Sequence, residues 1–256
     1  MLAIERKDAI LARLSEEGKV IVSELAKEYN VTEETIRRDI DRLVKDGLAT
    51  KTYGGAVSAS GSSKTDLPYQ VRKSTNVERK ETIAELIAGM ISDGDRIMLD
   101  ASSTVVCLVR KLKNKKNLTV ITNSVEILLE LSDVPGWTVL STGGTLKEGA
   151  LSLVGSSAEK MIRGYHVDWA VCSAKGVDGT MGITESSERD AEIKQVIFAA
   201  ADRKVLAVDA TKFDRMSFVR VCGLDAVDMI VTDERPSDEW LERFSEKHID
   251  VIYQMR

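Results

Sequence analysis

Two adjacent arginines, Arg37 and Arg38, lie in a stretch whose apolar residues recur with helical spacing. The apolar seam, spaced i, i+4, i+7 and i+8, consists of Ile36, Ile40, Leu43 and Val44. At roughly 100° per residue, the opposite side of such a helix carries Glu34, Arg38, Arg42 and Lys45. Arg37 lies at the border of the seam, where a long side chain can reach a phosphate. A helix with one face for a core and one face of cations is suited to a DNA groove.

The segments before this helix have the features of a helix-turn-helix. Residues 6–15 are predicted to form a first helix that ends near Gly18. Ser23 is a candidate N-cap for a short second helix. Thr32 is predicted to cap the third, recognition helix, and Gly47 to end it. The arginines therefore lie on the helix that a helix-turn-helix places against DNA.

The residues after this helix predict a wing. Segments 48–51 and 55–57 resemble the strands of a small hairpin that turns at residues 53–55. Residues 1–57 have a net charge of −1, whereas residues 37–51 have +2, so the positive charge is local. A three-helix bundle with solvated arginines is the alternative. The candidate DNA-binding residues are Ser23, Thr32, Glu34, Thr35, Arg37, Arg38, Arg42, Lys45, Lys51 and Tyr53.

The composition changes after the wing. Residues 58–66 are small and polar, and we predict a linker over 58–74 between an N-terminal domain of residues 1–57 and a C-terminal domain of residues 75–256. A helix is expected to begin within 69–80 and to continue to about Met90. Residues 1–80 have a net charge of +2 and residues 81–256 a net charge of −7, so the larger domain should stay off DNA.

The C-terminal domain alternates between short apolar runs and helical patterns. The predicted strands are 97–99, 118–121, 137–140, 169–173, 205–208 and 229–231. The predicted helices are 104–112, 125–131, 156–163, 188–200 and 238–247. This alternation predicts an α/β domain in which helices cover both faces of a parallel sheet.

Polar residues follow most of these strands. In an open α/β sheet such strand ends converge on one crevice. Hydroxyls and exposed amides at a helix N-terminus suit a phosphate, glycines allow close backbone approach, and lysines can neutralise an anion. Taken singly, these motifs are as readily helix caps and turns. The candidate ligand-binding residues are Asp100, Ser102, Ser103, Thr104, Thr122, Asn123, Ser124, Gly143, Gly144, Lys175, Asp209 and Lys212.

Other site classes are not favoured. The three cysteines are scattered in or near apolar segments, which is typical of reduced packing residues rather than disulfides or zinc ligands. The two histidines lie in unrelated surroundings, so neither a metal nor a cofactor is expected. No apolar run approaches the roughly 18–20 residues needed to span a bilayer, and no signal-peptide core is present. We therefore expect a cytoplasmic protein.

The chain resembles the DeoR-type bacterial transcription regulators over nearly its whole length. The matching motifs are Glu5-Arg6, residues 10–14, 22–26 and 35–39, Val31, Leu43, Gly47-Leu48 and Gly54-Gly55-Ala56. Residues 100–104, 122–124, 143–144 and 209–212 match the family's strand-end motifs. The chain departs from the family's common pattern at Lys51-Thr52-Tyr53, Lys175 and Arg189.

The resemblance implies a winged helix that binds double-stranded operator DNA, followed by an effector domain similar in fold to ribose-5-phosphate isomerase. It further implies a repressor controlled by a phosphorylated sugar or related metabolite, and a homo-oligomer, either dimer or tetramer. Two alternatives stay open at this point. One is a sugar-phosphate isomerase with Asp178 or Glu188 as the base. The other is an interaction module with an inert pocket.

Overall fold

The computed structural model describes residues 2–58 and 69–255. The chain divides into two compact units, one ending at Thr75 and the other beginning at Asn76. The helices of the first unit are α1 (Ala3–Glu17), α2 (Val22–Glu28), α3 (Glu33–Lys45) and α4 (Tyr69–Ser74). Its strands are β1 (Lys19–Ile21), β2 (Ala49–Thr52) and β3 (Gly55–Ser58).

The first unit is a helix-turn-helix with a wing. The apolar seam of α3 is buried, with Ile36, Ile40 and Leu43 at most 1% exposed. Gly18, at φ 73°, ends α1, and the Thr32 hydroxyl accepts a hydrogen bond from the Thr35 amide at the start of α3, as predicted. These caps satisfy backbone groups that a helix leaves unpaired at its ends.

The wing is larger than the predicted hairpin. It has three antiparallel strands in the order β1-β3-β2, because the three residues before α2 pair with β3. The prediction that Ser23 caps α2 was wrong. The helix begins at Val22 with Ile21 as its N-cap, so Ser23 lies inside the first turn. Strand β1 runs directly into the helix and leaves no room for a separate capping residue.

The predicted linker, residues 58–74, is partly helical. Residues 59–68 lie outside the described residues, whereas Tyr69–Ser74 form α4, which packs on α1 and buries Tyr69 and Val71. The helix expected to begin within 69–80 and to continue to about Met90 begins at Val77 and ends at Ala88. It is separate from α4, because the chain breaks at Asn76, which has a φ of 51°.

The second unit is an α/β domain, as predicted. Its helices are α5 (Val77–Ala88), α6 (Ser103–Leu112), α7 (Val125–Leu131), α8 (Ser156–Arg163), α9 (Glu188–Ala199) and α10 (Asp238–Glu246). Its main strands are β4 (Arg96–Leu99), β5 (Thr119–Thr122), β6 (Thr138–Ser141), β9 (Val167–Cys172), β12 (Ala201–Ala207), β14 (Met229–Thr232) and β15 (Asp250–Tyr253). Two short antiparallel sheets comprise β7 (Thr145–Lys147) with β8 (Ser152–Val154), and β10 (Gly176–Asp178), β11 (Gly182–Glu185) and β13 (Val219–Cys222). Two 3-10 turns complete the unit, Ala210–Lys212 and Leu224–Ala226.

The main sheet is parallel throughout, in the order β15-β14-β12-β9-β4-β5-β6. From β4 the chain proceeds to one edge, and from β9 it proceeds to the other. Because parallel crossovers are right-handed, this reversal places the helices of the two halves on opposite faces. The reversal also creates a switch point between β4 and β9, where open sheets of this kind bind ligands.

Candidate functional site

The exposed face of α3 is formed by Glu34, Arg38, Arg42 and Lys45, which we call the recognition face. The side chain of Arg38 is 73% exposed and that of Arg42 is 62% exposed. Arg37 is less exposed, at 42%, because it lies at the border of the buried seam. The helix therefore presents two arginines outward and a third beside its packed side.

Several cations of this surface are paired with carboxylates. Arg37 lies 3.1 Å from Glu33 and Arg38 lies 3.2 Å from Glu34, each one turn earlier on α3. On the wing, the Lys51 ammonium donates to Asp41 at 2.6 Å. All three pairs are exposed, so each contributes little to stability. A phosphate or a base edge can therefore replace the glutamates as partners of these arginines at a small cost in free energy.

A buried ion pair fixes α3 against α1. Arg6 is 7% exposed and Asp39 is 2% exposed, and their side chains meet at 2.6 Å. Asp39 also lies 3.6 Å from Arg42 on the recognition face. Sequence reasoning noted both residues as motif matches without assigning them this role. The feature of the sequence that could have indicated this ion pair is Asp39, an acidic residue on the otherwise apolar inner side of α3.

The remaining predicted DNA-binding residues lie at the ends of the elements. Tyr53 is fully exposed at the tip of the wing. Next to this turn, a Cβ on Gly55 would lie only 1.9 Å from the Val20 carbonyl oxygen, so β1 and β3 require glycine there. Ser23 is exposed on α2. Thr35 is partly buried, with its hydroxyl 2.9 Å from that of Thr32.

In the second unit, the strands β4, β5, β6, β9 and β12 are parallel neighbours, so the loops that follow them all lie at the carboxyl ends of the strands. We call this region the strand-end crevice. All twelve predicted ligand-binding residues lie on these loops or on the element ends beside them.

Asp100 lies at the centre of the crevice, at the switch point, and is 1% exposed. Its carboxylate accepts hydrogen bonds from the backbone amides of Ser102 and Ser173, each at 3.0 Å, and from the Lys194 ammonium. Lys194 also donates to the Ser173 carbonyl at 2.8 Å and lies 3.2 Å from Glu185. Burial alone would lower the pKa of Lys194, but Asp100 and Glu185 outweigh it and raise that pKa, so the lysine stays charged.

Several predicted hydroxyls and carboxylates act as caps. Ser102 begins α6, Ser124 begins α7 and Asp209 begins the 3-10 turn, and each side chain accepts a backbone amide. The Thr122 hydroxyl donates to the Leu99 carbonyl at 2.8 Å and accepts from the Ser124 amide. These contacts fix the loops. The backbone amides of residues 103 and 104, in the first turn of α6, point outward from the N-terminus of that helix.

The two glycines differ in their surroundings. Gly143, at φ 62°, has open space where a Cβ would be. Gly144, at φ 103°, lies so close to β8 and α8 that a Cβ would be 2.8 Å from the Val154 carbonyl oxygen and 3.0 Å from Ala158. Gly144 is therefore required for packing of the chain beneath β8.

Lys175 and Lys212, at the border of the crevice, are more exposed than the buried Lys194. Lys175 is partly buried, and its backbone amide pairs with Thr184. Lys212 is partly exposed at the end of the 3-10 turn, and among the described residues its ammonium makes no hydrogen bond or ion pair. A cation without a carboxylate partner at a strand end is available to an anionic ligand.

The residues proposed for proton abstraction are poorly suited to it. The Asp178 carboxylate accepts hydrogen bonds from the amides of Met181 and Thr180, which lower its pKa, whereas a general base needs a pKa near the working pH. Glu188 is exposed in the first turn of α9. The residues that sequence reasoning missed are Lys194 and Glu185, since their role depends on partners distant in the sequence.

Three observations concern other site classes. The described residues contain no cluster of three or more His, Cys, Asp or Glu side chains able to hold a metal ion. All three cysteines are free, and burial raises the pKa of Cys107 and Cys172 and takes that of Cys222 to about 11. Within residues 2–58 and 69–255, every helix is too short or too polar to cross a membrane.

Comparison with known proteins agrees with both units. Residues 6–62 match the model of the DeoR-like helix-turn-helix domain, and residues 75–234 match that of the DeoR C terminal sensor domain. The transcriptional regulator YulB of Bacillus subtilis is 35% identical, covering 98% of this chain and 96% of YulB. The lactose phosphotransferase system repressor of Lactococcus lactis is 35% identical, covering 94% and 95%. The glycerol-3-phosphate regulon repressor of Escherichia coli is 27% identical, covering 98% and 99%.

The helix-turn-helix, its cationic face and these relatives define a DNA-binding transcriptional regulator. Because the relatives that match over nearly the whole chain are regulators and repressors, the isomerase alternative is set aside. The chain belongs to the DeoR family.

Some solved structures are similar to part of the chain. Ribose 5-phosphate isomerase A of Methanocaldococcus jannaschii is 18% identical, with a TM-score of 0.40 and coverage of 54% of this chain and 55% of the isomerase. The delta subunit of eIF2B from Chaetomium thermophilum is 16% identical, with a TM-score of 0.47 and coverage of 61% and 56%.

Proposed function

We propose that this regulator is a cytoplasmic repressor that binds operator DNA as a homo-oligomer and releases it when a phosphorylated sugar occupies the strand-end crevice. The recognition face and wing would contact operator half-sites, and the second unit would sense the effector. The DNA-binding domain would include α4 as well as residues 1–57.

The arrangement of the crevice carries the proposal. The N-terminus of α6 opens at the switch point, and its first amides are directed at the position where an anion is stabilised by a helix dipole. Lys212, without a carboxylate partner among the described residues, can supply a positive charge at the same sheet edge. The names of two relatives refer to the lactose phosphotransferase system and to glycerol 3-phosphate, which agrees with a small phosphorylated metabolite as effector.

An effector acts only through its different affinities for the operator-bound and free conformations. The test is therefore operator affinity, measured by fluorescence anisotropy during titration with sugar phosphates that stabilise the protein in a thermal-shift screen. An effector at about 100 times its Kd should stabilise the folded state by roughly 2.7 kcal/mol.

Lys212→Ala should bind operator like the wild type but respond only at higher effector concentration. Loss of one charged hydrogen bond, about 1.5–3 kcal/mol, corresponds to a midpoint raised roughly 10- to 150-fold. Lys247→Ala, at an exposed lysine after α10, is the control. An unchanged midpoint in Lys212→Ala would remove that lysine from the site. If no sugar phosphate changes wild-type operator affinity, the sensing function is wrong.

A further inference from the structure

A short hairpin covers one side of the strand-end crevice. Strands β7 and β8 pair with each other and are not part of the main sheet. The hairpin is attached to the end of β5 by backbone hydrogen bonds from the Leu153 amide to the Asn123 carbonyl, at 2.8 Å, and from the Val125 amide to the Leu151 carbonyl, at 2.9 Å. The Asn123 side chain adds a bond from Nδ2 to the Leu153 carbonyl, at 3.0 Å.

The same hairpin is fastened to α9. Lys147, at the end of β7, forms an ion pair with Asp190 in the first turn of α9. One turn further along this helix, Lys194 reaches Asp100 at the switch point. The hairpin, α9 and the ends of β4 and β5 therefore converge at one position, which we call the hairpin junction.

Two buried oxygen atoms at the hairpin junction lack hydrogen-bond partners among the described residues. They are Asn123 Oδ1 and Ser152 Oγ, in residues that are 3% and 2% exposed. Ser152 is directly opposite Lys147 in the antiparallel pair, so both side chains lie on the same hairpin face, and β8 contacts α9. Ser186 Oγ, just before the cap of α9, also lacks a partner among the described residues. Because buried polar atoms are nearly always paired, the two unpaired oxygen atoms of Asn123 and Ser152 are candidates for an interaction with a ligand.

We propose that the hairpin junction is the subsite that recognises the hydroxyl groups of the effector, through Ser152 and Asn123. This inference rests on the proposed sensing function of the same crevice. The amide oxygen of Asn123 only accepts hydrogen bonds, and a serine hydroxyl both donates and accepts, so the pair suits a polyol. The lysines at this end, Lys147 and Lys194, are already ion-paired with carboxylates, so they are less available to a phosphate than Lys212.

The charges then orient the effector within the crevice. Its phosphate lies toward the N-terminus of α6 and Lys212, and its hydroxyls lie toward the hairpin. Ser152, on the hairpin, and Asn123, on the loop to which the hairpin is attached, are both buried, so hydroxyls reach them when the hairpin lifts. The hairpin begins after Gly143 and ends before Gly155, and both glycines have positive φ and open space around them. Such residues can absorb the backbone rotation of a hinge.

The test compares Ser152→Ala with the wild type, using glycerol 3-phosphate, ribose 5-phosphate, fructose 6-phosphate, glucose 6-phosphate and inorganic phosphate as probes. Affinities come from calorimetry, and the unliganded protein is melted in parallel. Thr145→Ala, an exposed position on the same hairpin, is the matched control. Ser152→Ala should weaken the best sugar phosphate about five- to tenfold, the cost of one neutral hydrogen bond, and change inorganic phosphate by less than about twofold.

The melting temperature separates a ligand contact from a structural one. Removing a buried hydroxyl without a partner should leave the unliganded protein as stable as before, or more stable. A lowered melting temperature of unliganded Ser152→Ala would show that the hydroxyl supports the fold and would overturn the subsite. Unchanged sugar-phosphate affinity, or equal losses for sugar phosphates and inorganic phosphate, would also overturn it. If no probe binds the wild type, the sensing function itself fails.

Discussion

Arg37 and Arg38 are neighbours in sequence, but they are not equivalent on α3. Arg38 projects from the middle of the exposed recognition face, in the N-terminal half of the helix, where base edges are reached. Arg37 lies beside the packed seam, and from there we expect its long side chain to reach a phosphate. Their glutamate partners are exposed, so both arginines are available to DNA.

We therefore expect Arg38→Ala to cost about 1–3 kcal/mol of operator binding and to relax the sequence preference. Arg37→Ala should weaken operator and non-specific DNA alike. Both variants should melt like the wild type, because exposed ion pairs stabilise little. Binding to an operator and to a panel of its single-base variants measures the difference. Uniform loss across the panel for Arg38→Ala would contradict a base contact.

Lys194 and Lys111 each contact two carboxylates, but in opposite environments. Lys194 is buried with Asp100 and Glu185, whereas Lys111 is near the surface, 2.7 Å from Glu81 and 2.8 Å from Glu85. Removal of one partner from a buried pair leaves an uncompensated charge, while water replaces the partner at the surface.

Lys194→Met should therefore destabilise the second unit by about 3–5 kcal/mol. Lys111→Met should have a much smaller effect. All three tryptophans lie after residue 76, so their fluorescence during urea unfolding reports on this unit alone. Equal losses in the two variants would mean that burial does not determine the contribution of Lys194.

At the scale of elements, the helices and strands that are determined by local sequence patterns could be predicted from the sequence. The bounds predicted for α7 and α8 match the structure: Ser124 caps the start of α7, and α8 has a periodic apolar face that buries Ala158 and Ile162. The fold class and the shared sheet edge followed from the alternation of strands and helices. Strands β7 and β8 were missed because three residues are too few to show a period. Lys194 was missed because its partner Asp100 lies 94 residues away.

Gly143 and Gly144, where the chain enters the hairpin, are glycines for different reasons: backbone conformation alone at Gly143, and backbone conformation together with close packing at Gly144. Both have positive φ, but only Gly144 is in close contact with β8 and α8. Gly143→Ala should cost about 1–2 kcal/mol for the left-handed backbone. Gly144→Ala should add about 1–3 kcal/mol because β8 and α8 must shift. Tryptophan fluorescence during urea unfolding compares the two variants, and equal losses would contradict the close contact.

At the scale of the molecule, charge is distributed unevenly along the chain. Residues 1–80 have a net charge of +2 and residues 81–256 a net charge of −7, within a total of −5. We therefore expect attraction to DNA to depend on the local cations of α3 and the wing, several of which are paired with carboxylates. Few phosphate contacts for each DNA-binding unit follow from this distribution.

If two DNA-binding units together make roughly 6–10 phosphate contacts, the logarithm of operator affinity should fall against the logarithm of salt concentration with a slope of about −5 to −9. The slope arises because each neutralised phosphate releases condensed counterions. A single bound unit would give roughly half that value. Anisotropy titrations between about 50 and 200 mM salt, on a full operator and on an isolated half-site, measure both slopes. Lys51→Ala should reduce the full-operator slope by about 2, one contact from each wing. Identical slopes on the two DNAs would contradict paired binding, and an unchanged slope in the variant would remove Lys51 from the phosphate contacts.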